Sequence, residues 1–428
     1  MINFTSAVRP KYNKYVFSIA HKDYTKDVGG VEKLIKEHSE LFRNNSISYV
    51  FVCPLRFDSG IYKFYIDDKY IGAFSIKTIC RWLKSWPDTL LQVQIHHIIH
   101  WVQRDIEYLM CTIEAPILVY LHDYFYMCPH YNLIDSSGEF CGDGVASPNK
   151  CVKCDFYSKE IDKISFNKNL LSLYLNNNAV FIAPSEFVRT FWIKSFPQFK
   201  YRTYVVEHLV LSEKTIIEKK CKSPYRIAYI GAQYDIKGWP VYEKLYDALK
   251  NDMRYSFYHF GIARKQLDKM QVVPVSFQKD GKDAMKNAII KENIDFAIFF
   301  PQWPETYNYT CYEAYMGGAF LCCNTISGNI QDMVNKYRCG VVFDSKEELI
   351  SFFETCEAIE QLKKYREATN RYVPKCANPN SSILNYVDLN QKTKINAKRL
   401  FMAMENYEGV VYKIKSVLKN LYRQRKKK

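Results

Sequence analysis

Short apolar runs recur along this chain, each long enough for a buried strand and too short for a helix. The first half offers Tyr15–Ala20, Ser48–Cys53, Leu91–His96, Ile117–His122, Val180–Ala183 and Tyr204–Val206. Helical spacings lie between them, notably Val31–Phe42 and Lys77–Trp86. This alternation predicts a parallel sheet covered on both faces, because parallel strands need a crossover and a helix supplies it. A second series follows at Tyr225–Ile230, Ser256–Phe260, Val272–Phe277, Phe296–Phe300, Ala319–Cys323 and Gly340–Phe343. The two halves share an order of elements but no sequence repeat. The expectation is an α/β protein of two doubly wound domains.

Length agrees, since 428 residues exceed one ordinary core. The expected domains are residues 1–215, with a cysteine-rich insertion at 128–154, and residues 222–380, followed by a helical segment at 381–428 with a basic tail. Polar, lysine-rich Ser212–Pro224 reads as the linker, and Tyr62–Phe74, alternating about Asp67-Asp68, reads as an inserted hairpin.

No apolar run approaches the roughly 18 to 20 residues that span a bilayer, and Met1–Pro10 lacks the apolar core of a signal peptide. A soluble, cytoplasmic chain is expected. Its 14 cysteines should then be reduced thiols, and Cys53, Cys80, Cys111, Cys322 and Cys323 read as small buried side chains. The net charge of +15 calls for an acidic partner, whether nucleic acid, anionic lipid or a phosphorylated substrate.

Pro304–Ala314 (PETYNYTCYEA) is the segment richest in chemistry. It places Glu305 in the loop that leaves the strand DFAIFF and Glu313 on the helix that follows, with Gly317-Gly318 ending that helix. Open parallel sheets bind ligands at this carboxyl edge. A helix start suits phosphate and a carboxylate suits sugar or ribose hydroxyls, so the pair points to a sugar-nucleotide site.

E-x7-E followed by GGAFLCC resembles the retaining glycosyltransferases of family four, which have the two-Rossmann-domain (GT-B) fold with domains facing each other across a cleft. Further motifs follow in the order of that family, over roughly Tyr15–Asp344. Gly29-Gly30 after the first strand resembles the loop that faces the donor diphosphate. Gly231–Gly238 (GAQYDIKG) resembles the strand-Gly-x5-Lys-Gly loop, whose lysine, here Lys237, meets the donor phosphates. Many relatives carry an arginine after that first glycine, where this chain has Ala232, and glycine often stands where it has Asn308. His122-Asp123 ends the strand ILVYLHD, where the family's histidine lies beside the donor sugar. His96, His97 and His100 read as cleft lining or core, and Ser185 as a helix cap.

Cys128, Cys141, Cys151 and Cys154 share one glycine-rich, polar segment, and the closing C-x2-C has the spacing of a zinc site. Four thiolates would form a closed, structural site that shapes the acceptor side without catalysing. Some bacterial members of the family resemble this stretch. Val410–Lys428 has an apolar helical face opposite a basic one, which suits either an anionic membrane surface or packing across the domains.

The resemblance implies a retaining, hexosyl-type glycosyltransferase of cell-surface polysaccharide or lipopolysaccharide biosynthesis, peripheral at the inner face of the plasma membrane. The donor would be a UDP-, GDP- or dTDP-sugar, and the acceptor a glycan or lipid-linked glycan. Glu313 would hold the ribose, Glu305 the transferred sugar, and the Asn308, Tyr309 and Thr310 backbone the phosphate. Lys237, Gly231 and the Gly29 and Gly30 amides would meet the diphosphate, with no catalytic metal, and His122 would contact the sugar or position the acceptor. Two rival readings are a zinc-containing nucleic-acid binder and a non-catalytic subunit of a polysaccharide assembly.

Overall fold

The computed structural model describes residues 8–27, 29–86, 89–142, 144–216, 222–367 and 372–388. The expected amphipathic helix at Val410–Lys428 lies outside these residues. Contacts divide the chain into two compact units. One holds the described residues up to Tyr120, Lys168–Val180 and those from Ser381 onward; the other holds Leu121–Asn167 and Phe181–Asn380.

In the first unit the strands are β1 (Tyr15–Ile19), β2 (Ser48–Pro54), β3 (Ile61–Ile66), β4 (Lys69–Ser75), β5 (Leu90–Ile95) and β6 (Ile117–Tyr120), in the order β4-β3-β2-β1-β5-β6. β1 pairs in parallel with both β2 and β5, and β5 with β6. Every residue of β1 and β2 is buried, which explains their continuous apolar character, because both faces are covered. The chain builds outward from β1 to β2, then crosses back to β5. The β1/β5 boundary is therefore a topological switch point, where crevices form at the carboxyl edge.

The expected hairpin is present, since β3 and β4 are antiparallel. Its turn residues Asp67 and Asp68 both have positive φ, the mark of a two-residue turn matched to strand twist. Asp67 accepts hydrogen bonds from the Tyr49 amide (2.8 Å) and Ser48 Oγ (3.0 Å), tying the turn to β2.

The second unit contains β7 (Val180–Ala183) from Phe181 onward and its parallel partner β8 (Thr203–Val205). It also has an antiparallel ribbon of β9 (Leu209–Ile216) and β16 (Tyr372–Pro379). Its main sheet comprises β10 (Tyr225–Ile230), β11 (Tyr255–Phe260), β12 (Met270–Val273), β13 (Phe296–Phe299), β14 (Phe320–Asn324) and β15 (Gly340–Phe343), all parallel, in the order β12-β11-β10-β13-β14-β15. Growth reverses between β10 and β13, a second switch point. Together the sheets and crossover helices make the two Rossmann-like halves that the alternation predicts.

Three expectations need correction. Ser212–Pro224 is not simply a linker, because its start lies in β9. That strand is largely exposed and so lacks the apolar alternation that would reveal it. The strand expected to run to Phe277 stops at Val273, before Pro274, which has no amide to donate, and Phe277 instead begins a short helix. The strand ending at His122 stops at Tyr120.

Burial in the first unit also fixes the charge of two imidazoles. His38, on the helix Gly30–Asn44, is pushed down to about 3 by burial. His21, just beyond β1, is pushed to about 2 by burial, with His97 adding to the effect. Unfolding releases both to an ordinary value near 6.5. Below that pH the unfolded chain binds more protons, so stability falls with acid by roughly 1.4 kcal/mol per pH unit for each histidine. The urea midpoint should therefore drop between pH 7.5 and pH 5, by about 2 kcal/mol per histidine in free energy. A midpoint unchanged over this range would show that these imidazoles titrate while folded.

Candidate functional site

The β10/β13 switch point is shaped by glycine. Gly238 has φ +89°, and a Cβ there would lie 2.2 Å from the Phe300 carbonyl oxygen. Only glycine lets the two strand-end loops approach this closely. Across the approach, Lys237 Nζ donates to Glu305 Oε1 at 2.5 Å. The Glu305 side chain is 5% exposed and that of Lys237 36%, so the carboxylate lies below and the ammonium nearer solvent. Lys237 also sits 5.4 Å over the Trp303 ring. The pairing compensates a charge that would be costly to bury alone.

The Glu305 loop is held from several sides. Its carbonyl accepts the Asn329 amide at 2.8 Å, and its backbone bridges to Gly328. Gly328 has φ +64°, and a Cβ there would lie 2.5 Å from the Glu305 carbonyl oxygen. Tyr124 donates its hydroxyl to the Pro304 carbonyl at 3.0 Å, and Ser185 Oγ donates to the Thr306 carbonyl at 3.2 Å. Thr306 Oγ1 in turn donates to the His122 carbonyl at 2.5 Å. The structure thus brings His122, Glu305 and Lys237 together within one unit. The His122 ring is 5.8 Å from His208, which stands 4.3 Å from Tyr307. Sequence reasoning missed His208, which carries no motif of its own.

Asn308 caps the helix Tyr309–Met316, its Oδ1 accepting from the Cys311 amide (2.9 Å) and Thr310 Oγ1 (2.8 Å). The Asn308 amide donates to Asn329 Oδ1 at 3.2 Å, so Asn308 serves to hold the helix start. Tyr309 and Thr310 form its first turn, and Glu313 is buried one turn on.

Gly231 opens the neighbouring loop with φ +115°. Gln233, also buried, staples that loop to the one after β11. Its Oε1 accepts from the Arg264 and Lys265 amides (2.6 and 2.7 Å), and its Nε2 donates to the Lys265 carbonyl (2.8 Å). The Arg264 guanidinium then stacks 4.2 Å over Tyr234 and donates to its hydroxyl at 2.8 Å. A second cation therefore reaches the loop that carries Ala232. The signal in sequence is faint: a glycine at the end of β11 followed by Arg264-Lys265.

Gly29 and Gly30 lie in the first unit, at the start of the helix Gly30–Asn44. A Cβ on Gly29 would meet Glu32 Oε2 at 2.3 Å, so glycine here makes room for a carboxylate.

Cys128, Cys141, Cys151 and Cys154 are free and half-buried. Burial pushes Cys128 up to about 11, and the other three thiols push it the same way. The sulfurs are therefore electrostatic neighbours, but among the described residues no three His, Cys, Asp or Glu side chains gather to hold a metal. The segment has other sources of order. Backbone bonds join Cys141 to Leu133, Ala146 to Met127 and Cys151 to Ser147, and His130 stacks on Phe156 at 4.0 Å.

No family model matches the chain, and no curated protein matches it. Solved structures do share its fold. A glycosyltransferase from Rickettsia africae ESF-5 superposes with TM-score 0.55 at 14% identity, covering 94% of this chain and 99% of that one. TarM does so with TM-score 0.52 at 10% identity, covering 85% and 96%. The chain has the GT-B fold.

Gly328→Ala should destabilise the chain by about 1–3 kcal/mol, since it places a Cβ against the Glu305 backbone at positive φ. Urea unfolding measures this, and a change under half a kcal/mol would mean that the loop yields easily.

Proposed function

We propose that the chain is a glycosyltransferase that moves a hexosyl unit from a nucleotide-sugar to a glycan or lipid-linked glycan, with retention at the anomeric carbon. The observation that carries this is the Lys237–Glu305 pair at the β10/β13 switch point, followed by a capped helix bearing Glu313. A cation suits a diphosphate, and two buried carboxylates suit hydroxyls. The shared fold with a structure described as a glycosyltransferase supports the reading.

In this reading Glu313 takes the ribose hydroxyls and Glu305 those of the transferred sugar. Lys237 and Arg264 neutralise the charge that grows on the diphosphate as the C1–O bond breaks. Arg264 thus supplies the cation absent at Ala232. The acceptor oxygen bonds to C1 on the face the diphosphate leaves, and the departing phosphate takes its proton. His122, fixed through its backbone, lines the sugar's position. The +15 net charge and the basic end of the sequence suit an anionic membrane surface and the phosphorylated donor. Surface polysaccharide or lipopolysaccharide is the product class we favour.

Thermal unfolding against UDP, GDP, dTDP and CMP tests the donor site. One nucleotide near 100 times its dissociation constant should add about 2.7 kcal/mol, and Glu313→Ala should abolish the shift. Silence from all four would remove the nucleotide-sugar reading. Arg264→Ala should slow transfer by roughly 10²-fold, the scale for losing one charge-stabilising donor. An unchanged rate in single-turnover assays would take Arg264 out of the mechanism.

A further inference from the structure

We infer that His259 is a positioning residue for the proposed donor site, acting through Gly231 and Gln233 to fix where the Arg264 cation meets the diphosphate. It deepens the nucleotide-sugar reading, on which it rests for the identity of the ligand.

His259 is the next-to-last residue of β11 (YSFYHF) and is fully buried. Its pairing with Tyr229 sets the ring beside the end of β10, 5.9 Å from the Tyr229 ring and 5.7 Å from that of Trp239. Phenylalanine, already present at Phe257 and Phe260 of the same strand, would fill this space with no polar atoms to desolvate. An imidazole here has to be compensated by the bonds that its nitrogens make.

Those bonds run outward in a chain. The Gly231 carbonyl can only accept, so His259 Nε2 carries the ring proton and donates to it at 2.8 Å. Burial lowers the His259 pKa, which keeps the ring neutral and leaves Nδ1 an acceptor. Nδ1 faces Gln233 Nε2 at 3.5 Å. The Gln233 amide has one orientation, because its Oε1 takes the backbone amides of Arg264 and Lys265. One imidazole thus registers both ends of the Gly231–Gln233 turn, and Gln233 passes that register to the backbone that carries Arg264.

The turn is built around that bond. The Gly231 amide donates back to the Phe260 carbonyl at 2.9 Å, so its peptide is held from β11 on one side and its carbonyl by His259 on the other. Gly261 has φ +133°, and a Cβ there would lie 3.2 Å from the Gly231 carbonyl oxygen and 3.6 Å from His259 Nε2. Glycine therefore lets the two strand ends close over the imidazole. Arg264 is itself exposed, a long side chain with many rotamers, yet it lies over Tyr234 in the loop that leads to Lys237. A charge stabilises a transition state best when it is fixed before the reaction begins. Groups behind the contact residue do that fixing.

Titration calorimetry of UDP, GDP and dTDP into the full chain tests the role. For the nucleotide that binds, His259→Phe, which keeps a ring without its nitrogens, should weaken affinity about tenfold. His259→Gln, whose Nε2 keeps a donor for the Gly231 carbonyl, should recover most of that loss. In an Arg264→Ala background His259→Phe should add nothing, because both act through one chain of contacts. Gln233→Leu breaks the same chain outside the sheet, should behave alike, and decides the matter if His259→Phe does not fold. Losses that add in the double variant, or unchanged affinity in a folded single variant, would overturn the positioning role. Hydrogen exchange separates this from the donor reading. The Arg264 and Lys265 amides should exchange about tenfold faster in both His259→Phe and Gln233→Leu, with no nucleotide present. Unchanged exchange in a chain that binds nucleotide would sink the positioning role alone. Faster exchange in a chain that binds none of the three would sink the donor reading, and the positioning role with it.

Discussion

A lysine and a glutamate from two different strand ends meet at the β10/β13 switch point, and the surrounding chain is arranged around that meeting. Gly238 lets the two loops touch, and Gly328 lets the Glu305 backbone seat against the following crossover. Tyr124, Thr306 and Ser185 each add a hydrogen bond to the same loop. A buried carboxylate is expensive without its partner, so these contacts preserve an ion pair as well as a shape.

The sheet core supplies the rigidity beneath. β10, β13 and β14 are almost wholly buried, and Tyr242 crosses beneath them to donate to the Tyr258 carbonyl at 2.8 Å. Tyr229, near the end of β10, donates to the Ala232 carbonyl at 2.9 Å. Tyrosine recurs because it packs as an aromatic and still satisfies a backbone acceptor at its far end. The loops are thus anchored by the side chains that build the core.

Much of this was legible in the sequence. Parallel strands covered on both faces are continuous apolar runs, and all six of the main sheet in the second unit were found that way, with an error at Pro274 that the missing amide explains. Glu305 and Glu313 were singled out by their E-x7-E spacing after a strand and Lys237 by its resemblance to the strand-Gly-x5-Lys-Gly loop, and the structure puts Lys237 against Glu305. β9 was missed because an exposed ribbon imposes no alternation. Gly328 and Gln233 were missed for another reason. Gly328 is required by a backbone contact 23 positions away, and Gln233 acts on amides 31 and 32 positions along the chain. No local pattern encodes such pairings. The four cysteines show the converse, where spacing suggests a metal and the described geometry does not gather one.

The Lys237–Glu305 contact has a consequence for selectivity. In the free protein the ammonium is already neutralised, so an anion alone must compete with a carboxylate for it and strand that carboxylate in doing so. A ligand that brings hydroxyls together with phosphate relieves both partners at once, each receiving a replacement for what it gives up. In the proposed reading the site would thereby act as a coincidence detector, taking inorganic phosphate poorly and sugar and phosphate joined in one molecule well. Such discrimination would come from an internal competitor, with no steric gate required.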